Sequence, residues 1–205
     1  MKKRAFFGLG NPGDEYAATR HNVGYRVVQA LAEHLKAPPF APARYALMTQ
    51  VSWRGIQWYF FLPTTYMNLS GDAVAYWREK LDLALEELIV VLDEIQLPMG
   101  AIRFGAKGSH GGHNGLAHII QRLGREDFPR LRIGIGRDFP KGKQVEYVLS
   151  PFTSQQEALF QARLSQIVEC LIAWAVEGID KAMNTCNRRF SPSSSVSTAQ
   201  QSASE

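Results

Sequence analysis

Cysteine is scarce in this chain of 205 residues, long apolar runs are missing, and acids and bases nearly balance. The two cysteines, Cys170 and Cys186, fall in a helical-looking stretch and form no disulfide framework, so a reducing cytoplasmic setting is expected. No stretch approaches the roughly 20 consecutive apolar residues of a membrane span, and no membrane role is expected. The opening "MKKRAFFGLGNPG" has a basic head, but Gly and Pro break its apolar part at once, unlike a signal peptide. Internal repeats are absent. No G-x-S-x-G elbow occurs, which leaves Ser70 and Ser109 without support as nucleophiles.

What is present is a globular composition, 45% hydrophobic, with a polarised charge. Residues 100–145 hold nine Lys or Arg against three acids, a local charge of +6 in a chain of net +4. A basic region of that kind fits a polyanionic partner, and it also fits a plain solvated face. From 191 onward the chain reads "SPSSSVSTAQQSASE", seven serines in 15 residues, too polar to offset its ordering entropy. A disordered tail is expected over 191–205, after a domain spanning 1–190.

Residues 4–9 read as a first strand, and 23–36 as a helix with Val27, Val28, Leu31 and Leu35 at helical spacing. Residues 44–53 and 56–62 read as a hairpin around Arg54-Gly55. Ser70 is placed to cap a helix through about 80. "LIVVLDE", 88–94, has the continuous apolar character of a strand buried on both faces. Further strands are expected over 101–105 and 131–136, and a helix from the glycine-rich 108–115 to about 122. Ser154-x-x-Glu157 opens a long helix over 154–177, with a last one over 178–188. Strands interleaved with helices predict an α/β fold: one three-layer domain with a twisted mixed β-sheet flanked by helices.

Gly8-x-Gly10-x-x-Gly13 has the spacing of a dinucleotide-binding turn. That site also needs a helix starting inside the motif and an acid ending a second strand some 20 residues on. Asn11-Pro12-Gly13 reads as a turn instead, and Glu33 lies within a helix. The glycines are therefore read as shaping a tight strand-to-loop turn that presents Asn11.

Polar clusters gather near the ends of predicted strands, where α/β sheets build their sites: Asn11, His21 in "TRHNVG", Asn68 in "TTYMNLSG", Asp93 in "LDE", and His113 with Asn114 in "GSHGGHNG". Asp93 can orient one nitrogen of His21 while the other takes a proton from water. Asp93 can equally be a turn residue after its strand. Asn11, Asn68 and Asn114 offer amide donors and acceptors suited to a peptide-like group, and an Asn amide can stabilise an oxyanion. In the glycine loop, His110 and His113 lack the further ligands of a metal site, and the helix that follows suits an anion.

The motifs "GLGNPG", "TRHNVG", "YMNLSG", "DE…LPMGAIR", "GSHGGHNGL" and "RLRIGIG" closely resemble those of bacterial-type peptidyl-tRNA hydrolases, in the family's order from residue 6 to about 152. The resemblance implies a monomeric enzyme without cofactor or metal and without an obligate protein partner. It would hydrolyse the ester joining a peptide to the 3′ end of tRNA. Carried over by position, it implies His21 as general base, Asp93 as its orienting partner, and Asn114 as the group positioning water or stabilising the oxyanion. It further implies Asn11, Tyr16, Met67, Asn68 and His113 along the substrate cleft, and Arg103, Lys107 and Arg132 on the tRNA. Leu62, Gln96 and Gly105 depart from the family pattern, and bear on tRNA binding more than on the chemistry. Two other readings share this scaffold: an RNA-binding protein like the chloroplast group II intron splicing factor that resembles these hydrolases, and a different esterase or nucleoside-cleaving enzyme.

Overall fold

A computed structural model describes residues 1–189. The tail expected over 191–205 lies outside the described residues. The chain forms strands β1 (Lys2–Gly8), β2 (Ala41–Ala43), β3 (Ala46–Trp53), β4 (Ile56–Pro63), β5 (Leu88–Glu94), β6 (Ile102–Gly105) and β7 (Arg130–Gly134). Its helices are α1 (Val23–His34), α2 (Ser70–Lys80), α3 (Asn114–Leu123), α4 (Gln144–Val148), α5 (Ser154–Glu177) and α6 (Ile179–Arg189). The sheet has seven strands in the order β2-β3-β4-β1-β5-β7-β6. β1 lies parallel to β4 and β5, and β5 parallel to β7, while the outer pairs β2–β3, β3–β4 and β6–β7 are antiparallel. This is the mixed sheet that the interleaved pattern predicts.

Alternation along β1 sends Phe6 to one face and Phe7 to the other. Phe6 joins Val27, Leu31, Trp58, Val91, Leu171 and Trp174 beneath α1 and α5. Phe7 joins Phe61, Val74, Val90, Leu116 and Ile119 beneath α2 and α3. Two cores on one sheet make three layers. β5 lies inside the sheet between β1 and β7, buried from Leu88 to Asp93, so the end of its apolar run fixes where a polar side chain first emerges.

The hairpin forms where expected, with Arg54 and Gly55 both at positive φ, 49° and 73°, as a two-residue turn between twisted strands requires. Two caps differ from the sequence reading. Ser70 is already helical and its hydroxyl donates back to the Met67 carbonyl, so it does not cap α2. At α5 the capping box lies one residue earlier, between Thr153 and Gln156, and Glu157 instead pairs with Arg26. The short strand β2 and the helix α4 escape periodicity because each is too brief to show a repeat.

The cysteine reading is corrected. Cys170 and Cys186, both buried, are joined as a disulfide between α5 and α6. The turn at Gly178 folds α6 back and brings their Cα atoms to 6.2 Å, within bridging range. Cysteine usage therefore does not place this chain in a reducing compartment. α5 is also long and apolar enough on average to cross a membrane, although no unbroken apolar run marks it. Its apolar side, with Phe160, Ile167, Leu171 and Trp174, is spent on the core.

Close backbone contact positions the site. A Cβ on Gly24 would sit 2.3 Å from the Val91 carbonyl oxygen, and one on Gly8 would sit 2.4 Å from the Gly24 carbonyl oxygen. The start of α1 thus lies directly against the ends of β1 and β5. Gly24→Ala is expected to lower stability by about 1–3 kcal/mol, the usual cost of overpacking, read as a reduced urea midpoint. An unchanged midpoint would contradict the contact.

Candidate active site

Three loops close over the carboxyl end of β5. The first follows β1. Leu9 N–H reaches the Val91 carbonyl, and the chain turns at Asn11. Asn11 is held by Asn22, whose Oδ1 accepts the Asn11 N–H and whose Nδ2 donates to the Asn11 carbonyl, both at 2.9 Å. The Asn11 side-chain Oδ1 accepts the Met67 N–H at 2.7 Å. One asparagine pair therefore closes the two ends of the β1–α1 connection on each other and ties it to the loop before α2. Asn22, itself buried, is the residue sequence reasoning missed. No local signal in "TRHN" sets it apart from a turn asparagine.

His21 stands on the turn Arg20–Asn22. Its backbone is anchored by the Arg20 N–H on the Ser150 carbonyl. The Arg20 guanidinium bonds the Tyr147 and Ser150 carbonyls and the Gln156 side chain, and lies 3.9 Å over the Tyr147 ring. α4 is in this way fastened to the turn that carries His21. Nδ1 of His21 lies 2.9 and 3.0 Å from the two oxygens of Asp93. On the other side, Nε2 of His113 lies 2.8 Å from Asp93 Oδ1. The two imidazole centroids are 5.0 Å apart.

The electrostatics follow from burial. Asp93 is 4% exposed. Burial alone would raise its pKa, but the two imidazoles and their hydrogen bonds hold its carboxyl well below the usual range. Burial likewise disfavours charge on His21, yet the Asp93 carboxylate and its hydrogen bond win, and the His21 pKa lies above its ordinary 6.5. An ionised carboxylate can only accept, so His21 Nδ1 carries the proton and Nε2 is left as the ring's proton acceptor. Among the described residues, His21, Asp93 and His113 are also the His/Asp group whose ligand atoms gather within 4.8 Å, the one place where a metal could be held. In the present arrangement those atoms are occupied with one another.

His21, Asp93, His113 and Asn114 line one cavity of about 80 Å³, together with Glu94, Gly111 and Gly112. Gln144, Val145 and Val148 of α4 close its far wall. Tyr16, Met67 and Asn68 do not line this cavity. Tyr16 ends the turn Asp14–Tyr16, Met67 is buried beneath the loop that Asn11 holds, and Asn68 follows it, exposed. Glu94 and α4 were not foreseen as part of the site.

The basic region divides. Arg130 is fully buried, and its guanidinium bonds the Gly108, Glu126 and Phe128 carbonyls, with its pKa pushed down to about 10 by burial. Arg132 pairs with Glu94 at 3.3 Å and donates to the Ser109 carbonyl. These two arginines pin the glycine loop 108–113 to the sheet. Arg103, cross-strand from Arg132, and Lys107 are exposed. Arg122 and Arg125 are engaged by Asp72 and Asp127. Of the departures from the family pattern, Leu62 is buried in the core, Gln96 accepts from Arg137, and Gly105 packs by Arg130.

A histidine oriented by a buried carboxylate and opening on a cavity is an arrangement suited to general base catalysis. Similarity to known proteins supplies the class, a carboxylic ester hydrolase. The chain belongs to the peptidyl-tRNA hydrolase family, whose profile matches residues 5–194. It is 43% identical over 187 residues to the peptidyl-tRNA hydrolase of Cytophaga hutchinsonii, covering 91% of this chain and 99% of that one. It is 46% identical to that of Salinibacter ruber, covering 88% and 95%. Among solved structures it is similar to the peptidyl-tRNA hydrolase of Acinetobacter baumannii, with 32% identity, a TM-score of 0.84, and 90% and 94% coverage.

Asn22→Ala would strand the buried N–H and carbonyl of Asn11 at a cost of about 1–3 kcal/mol. Urea unfolding is expected to show that loss together with reduced turnover. A variant as stable and active as the parent would contradict the clamp.

Proposed function

We propose that this chain hydrolyses the ester between a peptide, or another N-blocked aminoacyl group, and the 3′ end of tRNA, releasing free tRNA. The observation that carries the reading is Asp93 holding Nδ1 of His21, which leaves Nε2 as the proton acceptor of a ring that lines the cavity. Nε2 takes a proton from water as the water oxygen attacks the ester carbonyl. Asp93 stabilises the imidazolium that forms. Asn114, at the cavity wall, positions the water or donates its amide to the developing oxyanion. The imidazolium then returns the proton to the departing ribose oxygen, giving tRNA with a free hydroxyl and a peptide carboxylic acid, which releases its proton to solvent and leaves as the carboxylate. The bond is an ester, so no covalent nucleophile is required, and the reading uses no metal or cofactor.

Asn11 and Asn68 hold the peptide backbone in this reading, Asn11 through its amide nitrogen because its oxygen is taken by Met67. Tyr16, Met67 and His113 complete the cleft. Exposed Arg103 and Lys107, with Arg132 beside them, meet the acceptor-stem phosphates. The reading places a monomer in the cytoplasm, with one functional domain over residues 1–190.

The testing assay is release of free tRNA from N-acetyl-aminoacyl-tRNA, with unblocked aminoacyl-tRNA and a simple ester as controls. Release from the blocked substrate alone is expected. tRNA binding without release would instead make the chain an RNA-binding protein on this scaffold. His21→Ala is expected to lose about 10²–10⁴-fold in turnover while still binding tRNA. The activity of the parent enzyme should fall with acid, with a midpoint above the ordinary histidine value of 6.5, because His21 must be neutral to act. A midpoint below that value would contradict the hold of the Asp93 carboxylate on the His21 proton. Arg103→Ala should weaken tRNA binding and reduce the slope of log affinity against log salt by about 1, with turnover at saturation unchanged. An unchanged slope would remove Arg103 from the docking surface.

A further inference from the structure

His113 uses both of its ring nitrogens inside the protein. It is the N-cap of α3, and its Nδ1 accepts the Leu116 N–H at 3.2 Å. A nitrogen that accepts from a backbone N–H carries no proton, so in the neutral ring the proton is on Nε2. That Nε2–H points at Asp93 Oδ1, 2.8 Å away. The ring therefore has no polar atom left to offer a substrate. Asp93 in turn receives two imidazole N–H groups, one from each side, and Oδ1 is shared between them.

We infer that His113 is a positioning residue of the hydrolytic site, fixed in its Nε2–H tautomer by the first turn of α3, and that by sharing Asp93 it sets how strongly Asp93 holds the proton on His21. The inference deepens the proposed function and rests on His21 being the base. An Asp93 that served His21 alone would concentrate its charge on that one ring, making His21 slower to give up its proton and cationic over more of the neutral range. The second donor draws part of that charge away, so a larger fraction of His21 is neutral and able to accept from water. It also prevents Asp93 from rotating, because His113 is itself held by a helix start.

Few other charged groups bear on His21. From β5 come Asp93 and Glu94, and Glu94 is engaged by Arg132. From the glycine loop comes His113. α4 presents only Gln144, Val145 and Val148 to the cavity, none of them charged. Arg20, the preceding residue, is turned to Tyr147, Ser150 and Gln156.

Two measurements on the full chain test this. The first is long-range ¹H–¹⁵N NMR of the unaltered enzyme at alkaline pH, where His113 is expected as the Nε2–H tautomer. Finding the Nδ1–H tautomer overturns the inference whether or not any variant folds. The second is the His21 ring titration, followed by NMR, in His113→Asn. Asparagine is a good N-cap, so it keeps the start of α3 while removing the ring N–H that reaches Asp93. The His21 midpoint is expected to rise by roughly half to one pH unit, with unfolding still cooperative at a lowered thermal midpoint, because buried Asp93 loses one of its two donors. A midpoint that stays put or falls overturns the inference. Because the titration reads His21 directly, it is independent of whether His21 is the base. That assignment is tested separately, by whether the kcat/KM midpoint of the parent matches its own His21 titration.

Discussion

A carboxylate taken out of water must be surrounded by donors, and Asp93 is such a group, buried at the end of the interior strand β5. Its two donors come from loops that follow different strands, His21 before α1 and His113 before α3. Most of the local architecture can be understood as what brings those two rings to one carboxylate. The bare backbones of Gly8 and Gly24 let α1 begin against β5. Asn22 and Asn11 fasten the loop carrying His21 to its neighbours. Arg130 and Arg132 fasten the loop carrying His113 to the sheet edge. Loosening either loop would leave a buried charge with one donor fewer.

The same arrangement separates chemistry from docking while keeping them adjacent. Asp93 and Glu94 are consecutive on β5. The first holds His21, and the second holds Arg132 at the border of the basic edge formed by β6 and β7. Charge facing solvent on that edge comes from Arg103 and Lys107, whereas Arg130 is inside, its guanidinium bonded to three backbone carbonyls. Counting basic residues along the sequence therefore overstates the surface available to phosphates. The Cys170–Cys186 bridge fixes α6 to α5, and the neighbouring Asn187 pairs with both backbone groups of Phe104 on the edge strand β6.

Much of this is legible in the amino-acid sequence. The apolar run 88–94 announces a doubly buried strand, and its two terminal acids announce a polar strand end, because burial and alternation are local properties of sequence. His21, Asp93, His113 and Asn114 can be gathered by assuming that strand ends converge, and the fold does converge them on one cavity. Asn22 is not legible as a clamp, since nothing local distinguishes an asparagine that bonds a distant backbone from one in a turn. The caps of α2 and α5 differ from expectation by one residue or in kind, because Ser and Thr compete for neighbouring positions and tertiary contacts such as Arg26–Glu157 decide between them. The disulfide is hidden because two cysteines in separate helices carry no spacing signal until the turn between those helices is known.

The central claim is that the chemistry depends on a charged acceptor at position 93, and turnover of Asp93→Asn tests it most directly. An asparagine keeps the shape but presents an amide where two N–H groups converge, so at least one ring loses its partner and the His21 tautomer is no longer dictated. Release of tRNA from N-acetyl-aminoacyl-tRNA at saturating substrate is expected to fall by about 10²–10⁴-fold while tRNA affinity is retained. Turnover within a few-fold of the parent would contradict the account.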